Sequence, residues 1–392
     1  MTKLQIINVG QGDCLILRPK SCHYDSNTFI VDLGDGCTDY TRYINETDKK
    51  LHIILSHSHK DHIGGLKYLF INNMFERVET LTVPYYHNEI VLIAQAILNI
   101  KGIEKIEYNH DFIHYLKSIV ASQETVKTIK KHKGKPRVNF AYENANVYCG
   151  HFSFYNPPLR LSGIPDLLNE ENIERVSGIF SDSYKNQMEL YFQSHDWGSE
   201  NCSNSPDINS IFISEGENSN GENNYDKINF VMNYFNKNYE TITNFTNNPS
   251  VRLLKKLVTD FKLTSNQASL VFRYKNQNSF LFTGDADIKM LNRIIENGHD
   301  ISCDTLKVPH HGSKRSLNSG ILNKINPNIS IISHNNGRFG RDKDSHPHKE
   351  VIELLQDKHI EIIVTNNVIK NGCVEIYKPF GSHPYRPYIE LT

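Results

Sequence analysis

The chain has 392 residues, 38% of them hydrophobic, enough for a sizeable core or two modest domains. Its formal charge of −1 leaves no global polycation to hold nucleic acid, and its longest apolar stretch, around "IVLIAQAILNI" (90–100), falls short of the roughly 20 residues that span a bilayer. Seven cysteines, odd in number, scattered and without a C-x-x-C, indicate reduced thiols and a cytoplasmic protein.

In chain order, "KLQIINV" (3–9) reads as a strand, "GQGD" as a turn and "CLILR" (14–18) as the hairpin partner. The strand pattern begins at once, so no secretory leader is expected. "NTFIVDLGDG" (27–36) is a strand ending in Asp32 and two glycines. "LHIILS" (51–56), β-branched and mostly apolar, reads as a buried strand, and "IGGLKYLF" (63–70) as the start of a helix. "VETLTVPYY" (78–86) is another strand, and 88–137 reads as helical, ending in the basic "KTIKKHKGKPR". From 140 to about 250 the pattern degrades, with an Asn/Ser-rich mobile loop expected near 201–225. "SLVFRYKNQNSFLFTGD" (269–285) reads as two strands around a turn, "DTLKVPHHGS" (304–313) as a strand running into a histidine pair, and "NISIISH" (328–334) as a strand. "HKEVIELLQ" (348–356) is a helix and "IEIIVTNNVIKNGCVEIYKP" (360–379) a terminal hairpin. This pattern predicts an α/β protein, an αββα sandwich built from 1–84 and 261–392, with a large insertion at 85–260. No internal repeat is visible in the letters.

The chemistry concentrates in "SHSHKDHIGG" (56–65), where His57, His59, Asp61 and His62 fall between a strand and a helix. Side chains alternate in extended chain, so His57 and His59 point the same way. Where the chain turns into the helix, Asp61 and His62 can face the same spot from the other side. Neutral imidazoles with a carboxylate suit zinc, manganese or iron. Gly64 and Gly65 leave room for a close approach. A single histidine here would read as a solvated loop residue; four ligand-type side chains in six positions read as a metal site. A dinuclear site needs another carboxylate and another histidine. Asp285, after an apolar strand and a glycine, reads alone as a turn aspartate, but with His310 or His311 of "VPHHGS" following 25 residues later the two become candidates for these positions. Which histidine of the pair faces the site is open, because neighbours in extended chain point apart. Asp13, in "GQGD", is either a turn former or a supporting, proton-handling residue. Cys14, Cys37 and Cys303 lie near the site in sequence and read as buried small residues.

"HSHKDH" resembles the metal-binding motif of the metallo-β-lactamase fold superfamily. Together with "NVGQGDCLIL", "FIVDLGDG", "NQASLVFRY…FLFTGD", "LKVPHHGS" and "IISHNN…HP", in that order, it resembles the hydrolase domain of the ComEC family of competence DNA-uptake proteins and their stand-alone relatives. The resemblance covers roughly 1–85 and 262–380, not the middle. It implies His57 and His59 as ligands of a first metal, Asp61 and His62 as ligands of a second, Asp285 as the bridge, and His310 or His311 as the late histidine. It implies Asp32 as a buttress of the motif loop and His346, in "SHPHKE", as a substrate contact. Many superfamily members carry a histidine where this chain has Asn266, which implies a smaller ligand set for the first metal, and either one or two ions, zinc or manganese. Asp61, His62 and Asp285 would then be the catalytic set, and the reaction hydrolysis by a metal-activated hydroxide, acting on DNA or another phosphodiester.

The substrate is less legible. Lys130, Lys131 and Lys133, with Lys127, Lys135 and Arg137, form either a phosphate-binding lip or a solvated helix face. Aromatics in "HFSFYNPP" (151–158) and "YFQSHDW" (191–197) could stack on bases, but read better as cover for the core of the insertion. His195 and Asp196 read as surface residues. Two other functions compete: a metallohydrolase for a small molecule such as a lactone, a cyclic nucleotide or a headgroup phosphodiester, and a metal-stabilised regulatory protein that binds a protein partner through its insertion.

Overall fold

Short β-branched and aromatic runs form two mixed sheets in a computed structural model that describes residues 2–10, 12–20, 27–106, 112–121, 136–148, 150–159, 222–334, 346–365 and 388–391. The first sheet comprises β1 (Lys3–Ile7), β2 (Leu15–Arg18), β3 (Asn27–Val31), β4 (Lys50–Ile54), β5 (Val78–Pro84), β6 (Arg137–Ala141) and β13 (Tyr388–Leu391), in the order β13-β1-β2-β3-β4-β5-β6. The second comprises β7 (Phe152–Asn156), β8 (Val271–Lys275), β9 (Ser279–Phe282), β10 (Thr305–Lys307), β11 (Ile329–Ile332) and β12 (Glu361–Val364), in the order β12-β11-β10-β9-β8-β7. The two sheets share one layout: β1-β2-β3 and β7-β8-β9 are antiparallel, while β3-β4-β5-β6 and β9-β10-β11-β12 run parallel. The structure thus shows a duplication of architecture that the letters do not display.

The alternation of each strand sets the layers. Leu15, Leu17, Phe29, Val31 and Ile54 of the first sheet pack with Phe154, Phe272, Tyr274, Phe280 and Phe282 of the second in one core. The opposite face of the second sheet, with Val271, Leu281 and Leu306, packs against Leu291, Ile321, Ile325, Val351 and Leu355. These come from the helices Ile288–Glu296, Ser319–Ile325 and Lys349–Asp357. The chain is therefore α/β, with two face-packed sheets and helices on the far side of the second.

Two compact units emerge. One consists of 1–85, 129–157 and 266–392; the other of 86–128 and 158–265. The boundary differs from the expected insertion at 85–260, because β6 and β7 return to the two sheets. The aromatics of 151–158 differ accordingly: Phe152 and Phe154 lie in the core between the sheets, not in a cover over the insertion. The second unit is helical where described, with His87–Leu98, a helix over 112–121, Glu222–Asn247 and most of Val251–Gln267. Tyr86 stacks on Phe230 with ring centroids 4.6 Å apart, and Phe235, Phe245, Leu254 and Phe261 are buried. Residues 160–221, which hold His195, Asp196 and most of the expected Asn/Ser-rich loop, lie outside the described residues, as does the second strand of the expected terminal hairpin. Among the described residues no helix is long and apolar enough to cross a membrane.

Candidate metal centre

The parallel strands of both sheets deliver their chemistry at their C-terminal ends, where α/β sheets generally place ligands. Asp32 follows β3, Ser56 to His62 follow β4, Asp285 follows β9, and His310 and His311 follow β10. The segments are stitched together by backbone hydrogen bonds: Leu270 N–H donates to the Ser56 carbonyl (2.8 Å), Leu33 N–H to His62 (2.7 Å) and His310 N–H to Gly284 (3.0 Å).

Two overlapping ligand groups result. Single ligand atoms of His57, His59 and Asp285 lie within 4.8 Å of one another, as do those of Asp61, His62 and His311. Asp285 stands between the groups. Its Oδ2 lies 3.6 Å from His57 Nε2 and its Oδ1 lies 3.5 Å from His62 Nε2 and 3.9 Å from His311 Nε2. His311 Nε2 also approaches Asp61 Oδ2 at 3.3 Å. All seven motif side chains singled out from the sequence are therefore brought together, and the histidine pair divides. The buried His311 faces Asp61, whereas the part-exposed His310 places Nε2 3.7 Å from Asp285 Oδ2. The division follows from the backbone: His310 and His311 both have positive φ, 48° and 52°, so the alternation rule for extended chain does not apply. Such conformations cost of order 1–3 kcal/mol each and persist where surrounding structure enforces them.

Behind the ligands is a set of groups that fixes how each ring presents itself. The Asp32 carboxylate accepts from Ser56 N–H (2.7 Å), Ser56 Oγ (2.7 Å) and His62 Nδ1 (2.8 Å). Ser56 Oγ, its proton given to Asp32, can accept from His57 Nδ1 at 3.0 Å. His311 Nδ1 donates to the Ser333 carbonyl at 2.8 Å. In each case Nδ1 is engaged on the protein side and Nε2 is left for the centre. Nε2 of His57, His62 and His311, and Oδ1 of Asp285, are buried with no hydrogen-bond partner among the described residues. Buried polar atoms are nearly always satisfied, so this convergence of unsatisfied ones fits a site that could hold a ligand.

The electrostatics agree. Burial pushes His62 down, but Asp285, Asp32 and Asp61 outweigh it and drive its pKa up to about 10. Burial pushes Asp285 up, but His310, His62, His311 and His57 hold it well below the usual carboxylate range. Burial, reinforced by His62 and His59, pushes His57 well down, which keeps its ring neutral and its lone pair available. The carboxylates thus draw positive charge into the space that the imidazole lone pairs face, and a divalent cation meets both demands. The residues present fit such an ion.

The remaining sequence candidates are placed as follows. Asn266 sits beside the centre with Nδ2 3.5 Å from His310 Nδ1. Asp13 is buried, 3.7 Å from His62 Nδ1. His346 lies outside both groups, its ring centroid 5.0 Å from that of His310 and its Nδ1 3.0 Å from His348 Nδ1. Lys130, Lys131 and Lys133 lie outside the described residues. Two contributors escaped the sequence reading. Ser56, inside the motif, links Asp32 to His57. Lys307, a lysine within an apolar strand just before the histidine pair, is fully buried beside Asp13.

No family model matches the chain. It is similar to ComE operon protein 3 of Bacillus subtilis, with 32% identity over 114 residues, 29% of this chain and 14% of that protein. It is also similar to Recombination protein 2 of Haemophilus influenzae, with 40% identity over 79 residues, 20% of this chain and 9% of that protein. The chain spans only a small part of the length of these curated relatives, one named for the ComE operon and the other for recombination.

Proposed function

We propose that this chain is a metal-dependent hydrolase of the metallo-β-lactamase fold that cleaves phosphodiesters, with DNA as the favoured substrate. The observation that carries the reading is the convergence of His57, His59 and Asp285 with Asp61, His62 and His311. His57, His59 and Asp285 would hold a first divalent ion, and Asp61, His62 and His311 a second, with the two oxygens of Asp285 turned to the two groups. Bound there, divalent ions supply Lewis-acid polarisation of a phosphoryl oxygen and lower the pKa of water from 15.7 to about 7. Zinc or manganese suits the imidazole and carboxylate donors.

The chain's own residues do the rest. Asp32 and Ser56 orient the rings of His62 and His57. Asp61 completes the second group while its side chain keeps 25% exposure, so substrate would approach from this solvent-facing edge. His310, with 30% of its side chain exposed, and the neighbouring His346 would contact a bound phosphate group. No serine or cysteine nucleophile is needed, and Cys14 and Cys303 are buried with their thiols pushed up, first by burial. The name of the relative Recombination protein 2 favours nucleic acid over a small-molecule substrate.

The test is metal analysis of the purified protein combined with a panel of single- and double-stranded DNA, RNA, small phosphodiesters including cyclic nucleotides, and a lactone. Cleavage of DNA with bound zinc or manganese is expected. Turnover confined to a lactone or a cyclic nucleotide would replace the substrate assignment, and no turnover on any member of the panel by the metal-bearing protein would remove the hydrolase assignment.

A further inference from the structure

Lys307 closes β10, and its side chain is 3% exposed. Its ammonium pairs with the Asp13 carboxylate, itself 1% exposed. Leu15, Val31, Phe272 and Phe282 line the same enclosed space between the sheets. Burial alone would push the lysine down, but Asp13 above all, then Asp285 and Asp32, hold it protonated. Buried lysines are rare, and exchanging a buried ion pair for apolar residues is often neutral or stabilising, so stability alone does not account for this one.

Its connections point elsewhere. Lys307 Nζ also reaches the Gly284 carbonyl at 3.4 Å. That carbonyl accepts the His310 N–H as well, and the Lys307 carbonyl in turn accepts from Thr283 Oγ1 at 2.6 Å. The turn that ends in Asp285 is thus held by Lys307 from both its side chain and its backbone. Asp13, the counterion, lies 3.7 Å from His62 Nδ1 and 3.9 Å from His311 Nδ1, behind two ligand rings. Asp13, His62 and Asp285 have ligand atoms within 4.8 Å of one another and could themselves hold an ion, but the carboxylate of Asp13 already has the ammonium as its cation.

Resting on the metal-centre reading above, we propose that Lys307 is a positioning residue. Clamped by Asp13, its ammonium holds the Gly284 carbonyl, sets where Asp285 stands between the two ligand groups, and so determines how tightly the centre holds its ions. The pair also reserves for a fixed ammonium the position beside Asp13 that a further metal ion would otherwise compete for.

Three proteins test this: wild type, Lys307→Met, and the double variant Asp13→Asn/Lys307→Met. Each is stripped with chelator and examined by thermal unfolding and by calorimetric titration with zinc and with manganese. Lys307→Met strands a buried carboxylate and is expected to lose stability. The double variant carries no unpaired buried charge and is expected to unfold within a few degrees of the stripped wild type, yet to bind metal about 10–100-fold more weakly, as removal of a group that braces a ligand typically does. Its cobalt(II)-loaded form should show a shifted d–d absorption, which a purely structural pair would not produce. A double variant with wild-type affinity and an unshifted spectrum would overturn the positioning role alone. A wild-type protein that binds no divalent ion would overturn the metal centre, and this inference with it.

Discussion

At the residue scale the two candidate ligand groups depend on one carboxylate that belongs to neither. Asp32, held at positive φ, gathers Ser56 and His62 and through Ser56 reaches His57, so one aspartate fixes a ring in each ligand group. Asp32→Ala is expected to weaken metal binding about 10–100-fold, measured by titration, although Asp32 lies behind the ligands. Under the proposed hydrolase function, Asp61→Ala or His62→Ala is expected to abolish turnover by lowering kcat while substrate binding survives, because these side chains would serve the chemistry and not the grip. Retained turnover on a phosphodiester in Asp61→Ala would count against the assignment. The motif residues were legible because H-x-H-x-D-H compresses ligand chemistry into a strand-to-helix junction. The choice between His310 and His311 was not, because it turns on two consecutive left-handed residues. Lys307 was not, because a single lysine in a strand gives no sign of which face it occupies.

At the scale of elements, the strand ends carry the ligands and the turns between them are tightly packed. Gly12, at φ +103°, shows why: a β-carbon there would stand 1.7 Å from the Asp61 carbonyl oxygen. Gly12 therefore rests directly on the ligand loop. Gly12→Ala is expected to displace Asp61 and cost metal affinity, read by the same titration, with a lowered unfolding temperature. A second prediction concerns β4. His52 stacks on Phe29 at 4.8 Å and its Nδ1 meets Thr80 Oγ1 at 2.9 Å. Burial, then Lys50 and Arg137, lower its pKa from 6.5 to about 4. The unfolded chain takes up a proton near pH 6.5 and the folded chain does not until about 4. The stability from neutral His52 is thus complete above pH 6.5 and is lost as pH falls toward about 4. Thermal unfolding at pH 7.5 and 5 should show a smaller acid loss in His52→Gln than in wild type; equal losses would show that His52 does not contribute. The central strands were legible from their apolar runs, whereas β6, which ends a sheet, was not. Residues Val138 to Phe140 of β6 are only half-buried, and an edge strand without a fully buried face leaves little alternation to read.

At the scale of the whole molecule, the two like-patterned sheets bring opposite halves of the chain to one centre, joining Asp13 and His57–His62 to Asp285–His311. Nothing in the letters of the two halves announces this, because a shared layout of strands needs only compatible burial, not shared residues. With a net charge of −1, grip on a polyanion would have to be local. If the stretch around Lys130 supplies it, charge-neutral changes at Lys130, Lys131 and Lys133 should raise KM for DNA and flatten the salt dependence of binding by about 0.9 in log–log slope for each phosphate no longer neutralised. An unaltered slope would remove that lip and shift weight to a small phosphodiester. The most direct measurement of the central claim is phosphodiester hydrolysis by chelator-stripped protein during titration with zinc or manganese. The stripped protein should be inactive, activity should return as ions fill the two ligand groups, and Asp61→Ala should not recover. Undiminished hydrolysis by the stripped protein, or a fully loaded protein that cleaves no phosphodiester, would contradict the account.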